Sequence, residues 1–332
     1  MHLARFPRVR FAHLPTPLEP APRLSEALGV ELWIKRDDCT GLAGGGNKTR
    51  KLEFLVGAAL DDDCDTLVTQ GAVQSNHVRQ TAAAAAACGL NCEVILEERT
   101  GSRAEDYLGN GNVLLDKLFG AAIRFVPGGT DMTLELEKTA DDVRERGGRP
   151  YVIPGGGSNA IGALGYVDCA REIVVQADDY DLEIDRIVTA TGSAGTQGGL
   201  VAGLAVMGAD IPVLGIGVRS PKPKQEDMVF KLAVETAVML GRPEAVTRDQ
   251  VVADCDHVGE GYGFIDPGVV EALRLAARLD GLVLDPVYSG KAMKGVIALA
   301  RAGVLQGETV VFIHTGGAQG LFGYQSEIAD LF

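Results

Sequence analysis

Short apolar runs of β character alternate with segments of helical periodicity along most of this chain. Runs over 66–69, 92–96, 123–126, 151–153, 186–190, 213–218 and 309–314 read as strands. Several of them end in loops of Gly, Ser and Thr. Asn76 to Cys88 reads as a helix stopped by Gly89. Leu52, Leu55, Val56, Ala59 and Leu60 mark one apolar face of another helix that starts near Lys48. The alanines from 82 to 87 read as a packed helix rather than a disordered tract. This alternation predicts an α/β protein with mainly parallel sheets covered by helices. In such sheets ligands bind beyond the carboxyl ends of the strands, where the Gly/Ser/Thr loops lie.

Composition narrows the function. The chain has 332 residues, 46% hydrophobic and 23% charged, which suits one large or two moderate globular domains. A formal net charge of -14 argues against nucleic acid or an anionic membrane as partner. No apolar run reaches membrane-spanning length, and the first ten residues carry charge without an apolar stretch, so neither a span nor a secretory signal is expected. The six cysteines form no CxxC pair and no metal-ligand spacing. Free thiols in a reducing cytoplasm, and no metal, are the expectation.

Two loops carry candidate chemistry. Gly44-Gly45-Gly46-Asn47 leads into Lys48 at the first turn of a helix. Glycines let a backbone approach a ligand closely. A desolvated lysine near the positive end of a helix dipole has a depressed pKa, and its neutral amine can form a Schiff base with a carbonyl. Gly192-Ser193-Ala194-Gly195-Thr196 follows a strand and opens a helix, the arrangement of a phosphate cradle. Neither loop is a Walker A sequence, because the GK[ST] core is absent. A phosphate-bearing cofactor whose aldehyde meets Lys48 uses both loops at once, and pyridoxal 5'-phosphate is that cofactor.

The motifs Lys35-Arg36-Asp37-Asp38, GGNKTRKLE, Gln74-Ser75-Asn76-His77, Gly192 to Thr196, Asp285-Pro286-Val287-Tyr288 and His314-Thr315-Gly316-Gly317 occur in an order that resembles a known family. It is the family of 1-aminocyclopropane-1-carboxylate (ACC) deaminase, D-cysteine desulfhydrase and L-cysteate sulfo-lyase, fold-type II pyridoxal-phosphate enzymes related to the tryptophan synthase β-subunit. The resemblance implies two three-layer α/β domains with the cofactor between them. A small domain would span 51–159, and a large cofactor-binding domain would take 1–50 and 160–332. It implies Lys48 as the cofactor-linked lysine and general base, Asn47 on the ring hydroxyl, and Gly192, Ser193, Ala194, Gly195 and Thr196 on the phosphate. It places Thr315 at the ring nitrogen, Ser75, Asn76, His77 and Ser158 beside the substrate, and Ser75, Tyr262 and Tyr288 as catalytic residues. A homodimer is implied by the resemblance alone.

Substrate choice rests on fewer residues. In the cyclopropane deaminases a glutamate follows the tyrosine of DPVY, and a leucine replaces the threonine of HTGG. Here Ser289 and Thr315 stand there. A hydroxyl bonds the ring nitrogen without protonating it, which serves departure of a good leaving group from Cβ better than ring opening. The chain thus resembles the carbon–sulfur lyases. Arg219, Lys222 and Lys224 offer positive charge for a sulfonate, so L-cysteate is the expected substrate and D-cysteine the alternative. Aminocyclopropane carboxylate deamination, a phosphate-binding protein without pyridoxal, and a regulatory module on a dead enzyme fold are the remaining readings.

Overall fold

A computed structural model describes residues 2–332. Ten strands form two sheets: β1 (Leu18–Pro20), β2 (Glu31–Lys35), β3 (Thr66–Ala72), β4 (Asn91–Glu98), β5 (Ala122–Pro127), β6 (Pro150–Ile153), β7 (Arg186–Thr191), β8 (Val213–Gly217), β9 (Val252–Asp254) and β10 (Thr309–Ile313). The larger sheet has the order β1-β2-β10-β7-β8-β9, and the smaller β5-β4-β3-β6. Every pairing is parallel except β1 with β2. Central strands such as β8 are buried along their whole length, as a strand covered by helices on both faces must be. The edge strand β5 is mostly exposed, and Pro20 lies on the antiparallel edge, where its missing N–H costs no ladder bond.

All seven expected strands form, most of them longer than their apolar cores. β3 runs on through Gln70, Gly71 and Ala72, because β4 continues to pair with it after its own apolar residues end. The helix Asn76–Cys88 stops where expected, at Gly89 with φ 69°. The helix that carries Lys48 differs from expectation. Lys48–Asp61 buries not one apolar face but all of its first ten residues, Lys48, Arg50, Lys51 and Glu53 among them, while Leu60 is 41% exposed. The helix is covered by Asn76–Cys88 on one side and Ala160–Asp179 on the other. Only its last turn emerges into solvent, and that turn carries Leu60.

Burying so many charges requires partners. Arg50 donates to both oxygens of Asp37 at 2.9 Å and to Glu172 at 2.7 and 3.0 Å. Lys35 Nζ donates to Glu172 at 2.8 Å, and the hydroxyls of Thr16 and Tyr166 donate to Asp37 at 2.9 and 2.5 Å. Beside this cluster, Arg8 bridges Glu53 and Asp168. Burial works to raise the Asp37 pKa, but Arg50 and Lys35 outweigh it and hold the carboxyl below its usual range. The cluster joins β2, the turn after it, the lysine helix and Ala160–Asp179. Removing one member strands the others without water. Asp37→Ala is therefore expected to lower the unfolding free energy by about 3–5 kcal/mol, read as a lower midpoint in urea. A midpoint equal to that of the parent protein would contradict the account.

Candidate active site

The carboxyl ends of both sheets open onto one cleft of about 560 Å³. Its walls are residues 70–72 at the end of β3, Glu97 at the end of β4 and Arg99 just after it, Gly155 and Gly156 after β6, Gly192 and Ser193 after β7, and Val218, Arg219 and Ser220 after β8. A narrower recess continues from it, lined by Asn47, Lys48, Asn76, residues 190–194, Thr196, Tyr288 and Thr315. Lys48 lies in both.

Backbone geometry brings Lys48 there. Gly45 has φ 82°, and a Cβ on it would lie 1.7 Å from the Asp38 carbonyl oxygen, so only glycine permits this approach. Asn47 ties three segments together. Its N–H donates to the Thr315 carbonyl at 3.0 Å, its Nδ2 donates to Thr196 Oγ1 at 3.0 Å, and its Oδ1 accepts from Lys48 Nζ at 2.9 Å. Burial, opposed by Asp285 and aided by Arg79, lowers the Lys48 pKa to about 8. About a tenth of the amine is thus neutral at pH 7, several hundredfold more than for an ordinary lysine.

At the other side of the recess, the 192–196 loop enters the helix Gly195–Met207 through Ala194, which holds a left-handed φ of 72°. A non-glycine residue pays strain there, and such strain persists at sites that the surroundings over-determine. Ser158 was expected beside the substrate. Instead it packs on this loop, donating to Ser193 Oγ at 2.8 Å and accepting from Gly195 N at 3.2 Å, and it lines neither cavity. Behind the loop lies Lys51, which sequence reasoning missed. It is buried, donates to the Gly156 carbonyl at 3.1 Å, and would stand 2.7 Å from a Cβ at Gly195. Burial, then the neighbouring Lys48, drives its pKa well below the usual lysine value. Its signal was the i, i+3 spacing from Lys48, which puts both amines on one helix face.

Ser75 caps Asn76–Cys88 by accepting from Val78 N at 3.2 Å, and it lines the wide cleft together with Asn76 and His77. The Thr69 hydroxyl donates to the Ile153 carbonyl, so His77 Nε2 must carry the proton that bonds Thr69 Oγ1 at 2.8 Å. That leaves His77 Nδ1 buried and unpartnered. Burial, with Lys48 and Lys51 nearby, keeps this imidazole neutral. Tyr262 and Tyr288 stand edge to face with hydroxyls 3.0 Å apart, and Lys48 Nζ is 5.6 Å from the Tyr288 ring centre. Arg219 lines the cleft but is exposed, and Lys222 lines neither cavity.

Thr315 and Ser289 part company. Thr315 Oγ1 is buried in the recess with no partner. Ser289 lies outside it, its hydroxyl 2.7 Å from Asp285 Oδ1. Asp285 in turn is consumed by the N–H groups of Val287, Tyr288 and Ser289. No carboxylate lines the recess. Among the described residues, no cluster of His, Cys, Asp or Glu could hold a metal ion, and no helix is long and apolar enough to cross a membrane.

The recess thus pairs a buried amine of lowered pKa with a helix start and an orphaned hydroxyl, a donor set that fits a phosphate-bearing aldehyde with a ring nitrogen. Comparison with known proteins agrees. Residues 9–316 match the family described as pyridoxal-phosphate dependent enzyme. The chain belongs to that family. Its cofactor is pyridoxal phosphate, and the enzyme is a lyase of the ACC deaminase and D-cysteine desulfhydrase type. Over 328 residues it is 46% identical to the D-cysteine desulfhydrases of Salmonella typhimurium and Salmonella typhi, covering 98% of this chain and 99% of each relative. A crystal structure described as an ACC deaminase homologue superimposes with a TM-score of 0.90 at 38% identity over the whole of both chains. A fungal L-serine ammonia-lyase from Rhizomucor miehei shares the fold, with a TM-score of 0.65 at 18% identity over 92% of this chain and 94% of that one.

The burial of Lys48 yields a measurable property. In the cofactor-free protein, modification of Lys48 by an amine-selective reagent, followed by peptide mapping, should rise with pH through a midpoint of about 8. A midpoint near the ordinary lysine value of about 10.4 would contradict it.

Proposed function

We propose that the protein is a carbon–sulfur lyase acting on D-cysteine, with pyruvate, hydrogen sulfide and ammonia as products. The observation that carries this reading is the 46% identity to D-cysteine desulfhydrases across 98% of the chain. It weighs against the expectation of L-cysteate, which rested on three basic residues of which two, Arg219 and Lys224, line the cleft and both are exposed. Those two still favour L-cysteate as the second reading, because a sulfonate gains from cationic neighbours.

Each site residue has a proposed task. Lys48 holds the cofactor and, as a neutral amine, takes the proton from Cα. The 192–196 loop, with the Lys51 amine behind it, receives the phosphate. Thr315 offers its free hydroxyl to the ring nitrogen, and Asn47 contacts the ring hydroxyl. When bound, pyridoxal phosphate supplies a sink for the electron pair released at Cα. A hydroxyl at the nitrogen, in a recess without carboxylates, leaves that sink moderate, which suits departure of sulfur from Cβ. The N–H groups at the start of Asn76–Cys88, with Ser75, receive the substrate carboxylate, and the hydroxyls of Tyr262 and Tyr288 relay protons. In this reading 51–159 is the smaller of two units, and the cleft is their junction.

Offering purified enzyme D-cysteine, L-cysteate and aminocyclopropane carboxylate separates the readings. Sulfide and pyruvate from D-cysteine are expected. Sulfite from L-cysteate with no sulfide from D-cysteine would install the second reading, and 2-oxobutanoate from the cyclopropane would defeat both. Lys48→Ala should lose the visible absorbance of lysine-linked cofactor and nearly all turnover. An unchanged spectrum and rate would remove Lys48 from its role.

A further inference from the structure

Arg99 stands directly after β4 and has no part in the roles assigned above. Its guanidinium lies 5.0 Å from the centre of the Tyr262 ring, on the wall of the wide cleft. Only its Nε is engaged, donating to Glu97 Oε2. Glu97 is itself held, because its other oxygen accepts from Gly129 N at 3.0 Å. Among the described residues, neither terminal nitrogen of Arg99 finds an acceptor. The side chain is 18% exposed and lines the cleft, so it is anchored and largely desolvated there. Arg219 and Lys224, the other cations of the cleft, are exposed. The charge of Arg99 also acts on both phenols, whose hydroxyls touch each other, and the Tyr288 ring in turn lies beside Lys48.

We propose that Arg99 is the cation that receives the departing sulfur group of the substrate. The proposal rests on the carbon–sulfur lyase reading. As the Cα–H bond breaks, its proton passes to the Lys48 amine and its electron pair forms the Cα–Cβ double bond. The Cβ–S bond breaks, and sulfur keeps that pair and leaves as hydrosulfide. The terminal nitrogens of Arg99 donate to the sulfur as its charge develops. A proton relayed through the Tyr288–Tyr262 hydroxyl pair converts hydrosulfide to hydrogen sulfide. Lys48, now an ammonium, resupplies that proton, so charge and atoms balance without an oxidant or reductant. An anchored, desolvated donor aimed at developing charge acts mainly on the transition state.

Leaving-group dependence tests this. Chloride is a far weaker base than hydrosulfide and needs little help to depart, so 3-chloro-D-alanine serves as the reference substrate. For Arg99→Gln, kcat and kcat/KM on D-cysteine should both fall by about 100-fold, while the loss on 3-chloro-D-alanine is roughly a tenth of that or less. Arg99→Lys keeps the charge but not the fork, and should show the same bias at smaller size. The absorbance of bound cofactor checks that each variant is assembled. Equal losses on both substrates, or none on either, would overturn the proposal and leave Arg99 as a mere support for Tyr262. Wild-type enzyme that releases pyruvate from 3-chloro-D-alanine but no sulfide from D-cysteine would bring down the desulfhydrase reading, and this proposal with it.

Discussion

The position of Lys48 depends on a cluster of buried charges that begins two residues further along its helix. Arg50 is wedged between Asp37 and Glu172, and Lys35 shares Glu172. Such a cluster is poor evidence for stability, since desolvating its members offsets much of their attraction. Its consequence is geometric. Arg50 has five hydrogen bonds to Asp37 and Glu172 and a sixth to Thr16, all from a rigid planar group, and these admit one orientation of the helix Lys48–Asp61. An amphipathic helix held by apolar contacts alone could rotate or slide by small amounts. This one carries a reactive amine in its first turn, where a displacement of an ångström matters.

The same helix explains how an acidic protein presents a positive interior. The chain carries a net charge of -14, yet Lys48, Lys51 and Arg79 lie buried around the recess and Arg99 stands at the cleft wall. Asp285, the carboxylate close enough to raise the Lys48 pKa, is occupied by backbone N–H groups. Arg79 reaches back to the Gly45 carbonyl at 2.8 Å, and Asn76 Oδ1 accepts from both Arg79 and Asn112. Burial is the main reason that the Lys48 pKa falls; the Arg79 charge adds to it and at once favours anionic groups of a ligand.

Selectivity has a different origin. Ser289, at the position expected to hold a glutamate in the cyclopropane deaminases, lies outside the recess, whose lining offers hydroxyls and amides but no carboxylate, and the wide cleft holds the two phenols with Arg99, Arg219 and Lys224. In the proposed reading, bond choice follows from what meets the ring nitrogen, and leaving-group choice from what lines the outer wall. Separate elements supply the two: Thr315 follows β10, while Arg99 follows β4 in the other sheet.

Much of this was legible in the residues. Parallel strands announce themselves as apolar runs because both faces are covered, and glycines before Lys48 announce a close approach because no other residue tolerates that backbone. Motif order then identified the cofactor and singled out Lys48, the 192–196 loop and Thr315 as candidates to hold it. What sequence could not supply was the partner of each polar side chain. Arg50 and Glu172, 122 residues apart, meet only when two helices pack. Leu60 satisfied the helical period and still faces water, since period specifies a face but not where its cover ends. Ser158 carried a motif position yet bonds Ser193, and Arg99 carried no motif at all. Local order is written in spacing because it arises between near neighbours. Which charges are paired, which hydroxyl is left free, and which cation faces the cleft are decided where distant segments exclude water together, and only the tertiary structure holds that information.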